Sequence, residues 1–260
     1  MKVSIPRALY PKGCLKYSDR SANMKKVKAL TVPEGDGVVV NRLMPVHSLM
    51  NFDPFVLMDH FDIEAGGFPD HPHRGFEAIT YMLGGGMQHA DNLGNTSTVH
   101  AGGLQRFTAG KGIVHSEMPE GKAQGIQLWI NLPKHLKQMP PSYQQVDAKD
   151  IPEDTNGGVV VRTVVGLGSP TKLQTSVVYL DVSIKQGSVY QRDMNKQMRG
   201  FVYVLEGVVS LNQELLTENE AMFFDAGETL SLLGKHDSRL IVCFGQPHGE
   251  PIHQHGPYVD

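Results

Sequence analysis

"RGFEAITYMLGG" at residues 74–85 and "RGFVYVLEG" at residues 199–207 are two versions of one pattern. In each, β-branched and aromatic residues follow an Arg-Gly-Phe start and run to a glycine, which reads as a strand and not a helix. "GVVVNRL", "GIQLWINL", "GVVVRTVVGL", "SVVYLDVSI" and "RLIVCFG" repeat the signal at the spacing of sandwiches and barrels. A helical period is confined to short polar pieces such as 133–139, "PKHLKQM". The fold class is therefore predicted to be all-β.

A second pair of matching stretches follows the first in the same order. "LQRFTAGKGIVHSE" from Leu104 resembles "AMFFDAGETLSLLG" from Ala221. The chain is read as a tandem duplication of one β-barrel unit. Between Arg-Gly-Phe and the Ala-Gly pair the first copy is eight residues longer, which predicts a longer hairpin loop over 84–96. Pro133, Pro140, Pro141 and Pro152 break the strand pattern in between. The expected organisation is a basic N-terminal extension (1–28), a first barrel (29–132), a connection (133–157) and a second barrel (158–260).

Composition narrows the partners. The 260 residues carry a formal charge of −3, which gives no reason to expect tight binding to nucleic acid or anionic membranes. The first 28 residues hold eight Lys or Arg against the single acid Asp19, with no apolar run after them to make a secretory signal. They are expected to be a solvated extension. Two cysteines, Cys14 and Cys243, suggest neither a disulfide framework nor a thiolate metal site, and suit a reducing cytoplasm.

The chemistry lies in two short runs, "HPHRGFE" at 71–77 and "AGKGIVHSEM" at 109–118. Alternate residues of a strand share a face, so His71 pairs with His73 and His115 with Glu117. Three imidazoles and a carboxylate aimed into one barrel can hold a divalent metal with coordination positions left open. Glu77 offers a second carboxylate, but at ~3.3 Å per residue it lies ~13 Å along an extended chain from His73. It is expected to orient an imidazole by a hydrogen bond, leaving Glu117 as the ligand. Counting from Arg-Gly-Phe and Ala-Gly, the second copy has Lys196, Met198, Leu232 and Gly234 where the first has His71, His73, His115 and Glu117. One metal per chain is expected. His248, His253 and His255 fall outside the repeat and are read as structural.

"GGFPDHPHRGFEAITYML", "GLQRFTAGKGIVHSEMPE" and "GIQLWINLP" closely resemble the pirin family of the cupin superfamily. The resemblance covers about 52–144 and returns at "GEPIHQHGPYV". It implies a bicupin of two jelly-roll barrels with one metal, usually Fe2+ though other divalent transition metals suit the ligands, in the first. The pirin-like ligands are His71, His73, His115 and Glu117. The activity implied is a dioxygenase on quercetin or a related flavonol or enediol with O2, with Glu117 as ligand and candidate base. The alternative is a non-enzymatic iron-binding regulator with a protein partner.

Overall fold

The computed structural model describes residues 24–225, 227 and 229–260. Residues 1–23, including Cys14 and most of the basic extension, lie outside it, as do Ala226 and Glu228. The first half is built from β1 (Lys25–Lys28), β2 (Leu30–Glu34), β3 (Val38–Met44), β4 (Phe55–Ile63), β5 (Phe68–His73), β6 (Phe76–Asp91), β7 (Thr96–His100), β8 (Leu104–Thr108), β9 (Ile113–Asn131) and β10 (Ser142–Val146). The second contains β11 (Glu153–Asn156), β12 (Val159–Val165), β13 (Val177–Ile184), β14 (Val189–Asp193), β15 (Arg199–Glu206), β16 (Val208–Leu211), β17 (Glu214–Thr217), β18 (Glu220–Phe224), β19 (Thr229–Gly234), β20 (Ser238–Gly245), β21 (Gln254–His255) and β22 (Tyr258–Val259). Two short 3-10 turns, Lys134–Leu136 and Ala148–Asp150, are the helical content of the described residues. None of it is long and apolar enough to cross a membrane.

The all-β expectation holds, and the strands close two barrels. In the first, β10-β8-β6-β9-β4-β3-β2 form a sheet to which β5 adds through β9 and β7 through β6. In the second, β1-β18-β15-β20-β13-β12-β11 face the smaller sheet β14-β19-β16-β17. Alternation along the strands gives each face a separate task. Ile79 and Tyr81 of β6, Ile126, Leu128 and Ile130 of β9, Tyr179 of β13, Phe201 and Tyr203 of β15, and Ile241 and Cys243 of β20 meet in one core shared by the two barrels. The intervening residues point into the barrels. In the second these are Leu180, Val182, Val202, Val204, Leu240 and Val242. Strands buried on both faces read as continuous apolar runs, which is why "FVLMDHF" and "FVYVLEG" show little alternation.

The structure departs from the sequence reading in several places. Lys25–Lys28, the end of the expected solvated extension, pair with β18 in the second barrel's sheet. The expected connection supplies β10 to the first sheet and β11 to the second. The stretch 84–96 is not a long loop. β6 continues to Asp91 and pairs with β9 as far as Asp91↔His115, with the turn confined to 92–95. Shifts of register between Met82 and Gly84 and between Gly85 and Met87 bend the strand. Gly85 permits this with φ +68° and the Lys122 carbonyl 1.7 Å from where a Cβ would stand.

The repeat is confirmed with a shifted register. Ala78 pairs with Phe107 in the first barrel and Gly200 with Phe224 in the second, so Arg199-Gly200-Phe201 occupies the place of Glu77-Ala78-Ile79 and not of Arg74-Gly75-Phe76. Tyr81 and Tyr203 then both face the shared core, and that burial decides the alignment. His71 pairs with His115 and His73 with Ile113, where the second barrel has Tyr190 with Leu232 and Arg192 with Leu230. The counterparts of His71 and His73 are therefore Tyr190 and Arg192. Lys196 and Met198 lie in the link from β14 to β15, which is three residues longer than its counterpart in the first barrel.

Candidate metal centre

β5 is short and runs beside the start of β9, so strand pairing alone brings "HPH" against "VHSE". His71, His73 and His115 each offer a ring nitrogen, all within 4.8 Å of one another, and they form the one such cluster of His, Cys, Asp or Glu among the described residues. His73 is 4 % exposed and His115 1 %, and His71 is partly exposed. The backbone sets which nitrogen faces inward. His71 Nδ1 donates to the Pro69 carbonyl at 2.7 Å, and His73 Nδ1 to the Pro257 carbonyl at 3.2 Å. Each Nε2 is thereby left as a lone pair, the tautomer being assigned from the partner. His115 Nε2 stands 3.1 Å from His71 Nε2.

Burial, and then the neighbouring His71, push His73 down to about 3, against a small opposing effect of the Pro257 carbonyl. Burial, and then the repulsion that protonating it beside His73, His71 and His89 would create, hold His115 well below the usual imidazole range. Both rings are neutral at physiological pH, as metal ligands must be. The donor set and its geometry therefore fit a borderline divalent metal. Phe107 stacks on His73 with centroids 5.5 Å apart at 11° and meets His115 edge-on at 4.6 Å. Trp129 meets His73 edge-on at 5.0 Å. These rings leave the imidazoles little rotational freedom.

Glu117 shares a face of β9 with His115, and both are buried, but its carboxylate lies outside the three-histidine cluster. Its Oε1 accepts from Thr80 Oγ1 at 2.7 Å and from Gln105 Nε2, and its Oε2 from Gln127 Nε2 at 2.9 Å. Of about four lone-pair positions on a carboxylate, these donors leave one, on Oε2. The cradle of Thr80, Gln105 and Gln127 escaped sequence analysis. Its signal was present as single polar residues at barrel-facing positions of apolar runs, in "FEAITYML", "GLQRF" and "GIQLWINL".

Glu77 does not orient an imidazole. It is fully buried, and its oxygens accept from Thr108 Oγ1 and from the Gln174 backbone N–H, each at 2.8 Å. Parity explains this, because Glu77 lies on the face of β6 that Ile79 and Tyr81 turn toward the second barrel. Burial raises its carboxyl, with the hydrogen bonds from Thr108 and Gln174 opposing. Of the late histidines, His248 bonds Thr175 Oγ1 at 3.2 Å, and His253 and His255 are exposed.

The C-terminal segment closes over this centre. Besides Pro257, which holds His73, Val259 donates to the Arg74 carbonyl at 3.1 Å and accepts from Lys137 Nζ at 2.9 Å. Arg74 grips Asp260 with two hydrogen bonds and lies over the Tyr258 ring at 4.4 Å.

Two tandem barrels with a three-imidazole cluster inside the first define a bicupin. The chain belongs to the pirin family: residues 37–130 match Pirin and 179–260 match the Pirin C-terminal cupin domain. It is 39 % identical over 251 residues to a pirin-like protein of Caulobacter vibrioides, covering 91 % of each chain. It is 39 % identical over 249 residues to Pirin-1 of Arabidopsis thaliana, covering 91 % of this chain and 87 % of that one. Among solved structures, a quercetin 2,3-dioxygenase from Acinetobacter baumannii superposes with a TM-score of 0.83 at 29 % identity, covering 90 % of each chain.

Proposed function

We propose that the first barrel is the centre of a metal-dependent dioxygenase acting on a flavonol such as quercetin or on a related enediol. The observation that carries this reading is the convergence of three imidazoles, two of them buried and neutral, within 4.8 Å. The likeness to a quercetin 2,3-dioxygenase of the same fold supports the substrate class. His71, His73 and His115 would hold the metal, Fe2+ in this reading, with Glu117 beside them as fourth ligand. A redox-active divalent metal there would polarise a chelating enediol and bring dioxygen next to it.

The remaining work falls to the chain's own side chains. Thr80, Gln105 and Gln127 fix the Glu117 carboxylate and leave Oε2 one lone pair, which takes the substrate hydroxyl proton. Ligation and proton acceptance draw on that same position, so they are successive uses of it. Phe107 and Trp129 hold His73 in place and contribute apolar wall beside the cluster. Conversion of quercetin and O2 to a depside and carbon monoxide balances without an outside reductant. Oxygen uptake and carbon monoxide release by iron-loaded protein with quercetin should both occur and should both be lost in His115→Ala. Turnover that survives that substitution, or none on any flavonol, would overturn the proposal.

A further inference from the structure

Beyond the ligands, a second buried pair stands against the cluster. The β6–β9 register sets His89 opposite Glu117 and Asp91 opposite His115, and the side chains of His89 and Asp91 are both fully buried. Asp91 is immobilised by its turn. Oδ1 accepts from the Leu93 and Asn95 backbone N–H groups at 2.9 and 3.0 Å, and Oδ2 accepts from Asn95 Nδ2 at 2.8 Å. Oδ2 also faces His89 Nε2 at 3.1 Å.

The tautomers follow one from the next. A carboxylate only accepts, so in the neutral His89 ring the proton lies on Nε2 and Nδ1 presents a lone pair. That lone pair faces His115 Nδ1 at 3.4 Å, which gives His115 its proton on Nδ1 and a bare Nε2. The bare Nε2 is the atom turned toward His71. Tyr143 stacks on the His89 ring at 4.3 Å and 18° and holds its plane, while the contacts with Asp91 and His115 favour one orientation within that plane. Tyr143 is itself tied to Ser97 at 2.6 Å. In the second barrel, where Leu232 replaces His115, the strand register puts Val209 and Leu211 at the places of His89 and Asp91, so the pair and the ligand it serves are absent together.

We propose that His89 and Asp91 are a positioning pair that fixes the tautomer and ring orientation of His115 and so presents its Nε2 to the metal. This rests on the metal-centre reading above. Outer partners of metal-bound histidines commonly change affinity by about 10- to 100-fold.

The test is Zn2+ affinity by chelator competition, with 15N spectra of the imidazoles in the Zn2+-loaded protein. Asp91→Asn turns an amide donor toward His89 Nε2, which moves the His89 proton to Nδ1 and against His115 Nδ1–H. It should weaken Zn2+ binding by about 10- to 100-fold and abolish the His115 Nδ1–H signal. His89→Leu should do the same. His89→Gln, whose amide can donate to Asp91 while its carbonyl accepts from His115, should restore binding close to wild type. Wild-type affinity in Asp91→Asn and His89→Leu would overturn the proposal and leave the metal centre standing. Equal weakening in His89→Gln and His89→Leu would also overturn it, since loss of packing would then suffice. Absence of His71-dependent Zn2+ binding in the wild type would overturn both readings.

Discussion

Replacing Gly75 with alanine measures how far backbone fit holds the C-terminal segment on the histidine cluster. Gly75 has φ +85°, and a Cβ there would stand 1.8 Å from the Val259 carbonyl oxygen. The left-handed conformation alone costs an alanine about 1–2 kcal/mol. Relieving the overlap requires Val259 to retreat by about 1.6 Å, the difference between 1.8 Å and an ordinary 3.4 Å contact. A shift of that size breaks the bonds of Val259 to Lys137 and Arg74 and draws Pro257 from His73. At about 0.5–1.5 kcal/mol each, the three bring the expected total to about 2.5–6.5 kcal/mol. Gly121→Ala is the control, because Gly121 has φ +72° and nothing within 4 Å of its Cβ position. It should lose only the conformational part. Urea midpoints of both variants, with amide exchange at Val259, decide the matter. Equal midpoints with Val259 still protected would refute the reasoning.

Three further outcomes are expected. Burial sets His73 at about 3 against 6.5 in the unfolded chain, so as pH falls below 6.5 the unfolded state takes up the proton first. The metal-free fold should lose up to about 1.4 kcal/mol per pH unit toward pH 3; urea midpoints at pH 7 and pH 5 should differ less in His73→Gln, and an equal difference would remove His73 as the cause. Glu117→Gln should release metal far more readily than Glu77→Gln, by elemental analysis after dialysis, and equal retention would take Glu117 out of the ligand set. Protein from metal-supplemented medium should hold close to one equivalent per chain, falling to near zero in the His71→Ala, His73→Ala double variant. A second equivalent surviving that change would assign metal to His248, His253 and His255.

The three clustered histidines were legible because both halves of the evenly spaced motif lie on strands, where spacing alone fixes the shared face. The outer groups were not. His89 and Asp91 sit in "GGGMQHADNLGNT", whose glycines and asparagines read as a loop. In fact Gly84 and Gly85 bend a strand that goes on to pair with β9. Thr80, Gln105 and Gln127 come from three strands, and no local pattern says that they meet. Glu77 was misplaced by ignoring parity, since one step along β6 separates the barrel interior from the shared core. The second barrel's counterparts were misread for a related reason. Arg-Gly-Phe recurs three residues later relative to the strands, and only the common burial of Tyr81 and Tyr203 reveals it.

With that register corrected, the two barrels show what the polar cluster displaces. Around the Glu117 position, Thr80, Gln105 and Gln127 of the first barrel correspond through the pairings to Val202, Met222 and Val242 of the second. His115, His89 and Asp91 correspond to Leu232, Val209 and Leu211, and all six of these second-barrel residues pack in one apolar core. Glu117 itself is replaced by Gly234, where a Cβ would meet the Lys185 carbonyl at 2.7 Å, so no side chain can return there without moving the backbone. Each buried aliphatic residue contributes about 1.5–3 kcal/mol, stabilisation the first barrel forgoes at its polar interior positions. It can do so because the opposite faces of the same strands, through Ile79, Tyr81, Ile126, Leu128 and Ile130, are buried against the second barrel. The second barrel thus supplies the apolar partner that lets the first keep Thr80, Gln105, Gln127 and Glu117 as polar positions among the apolar side chains of its interior.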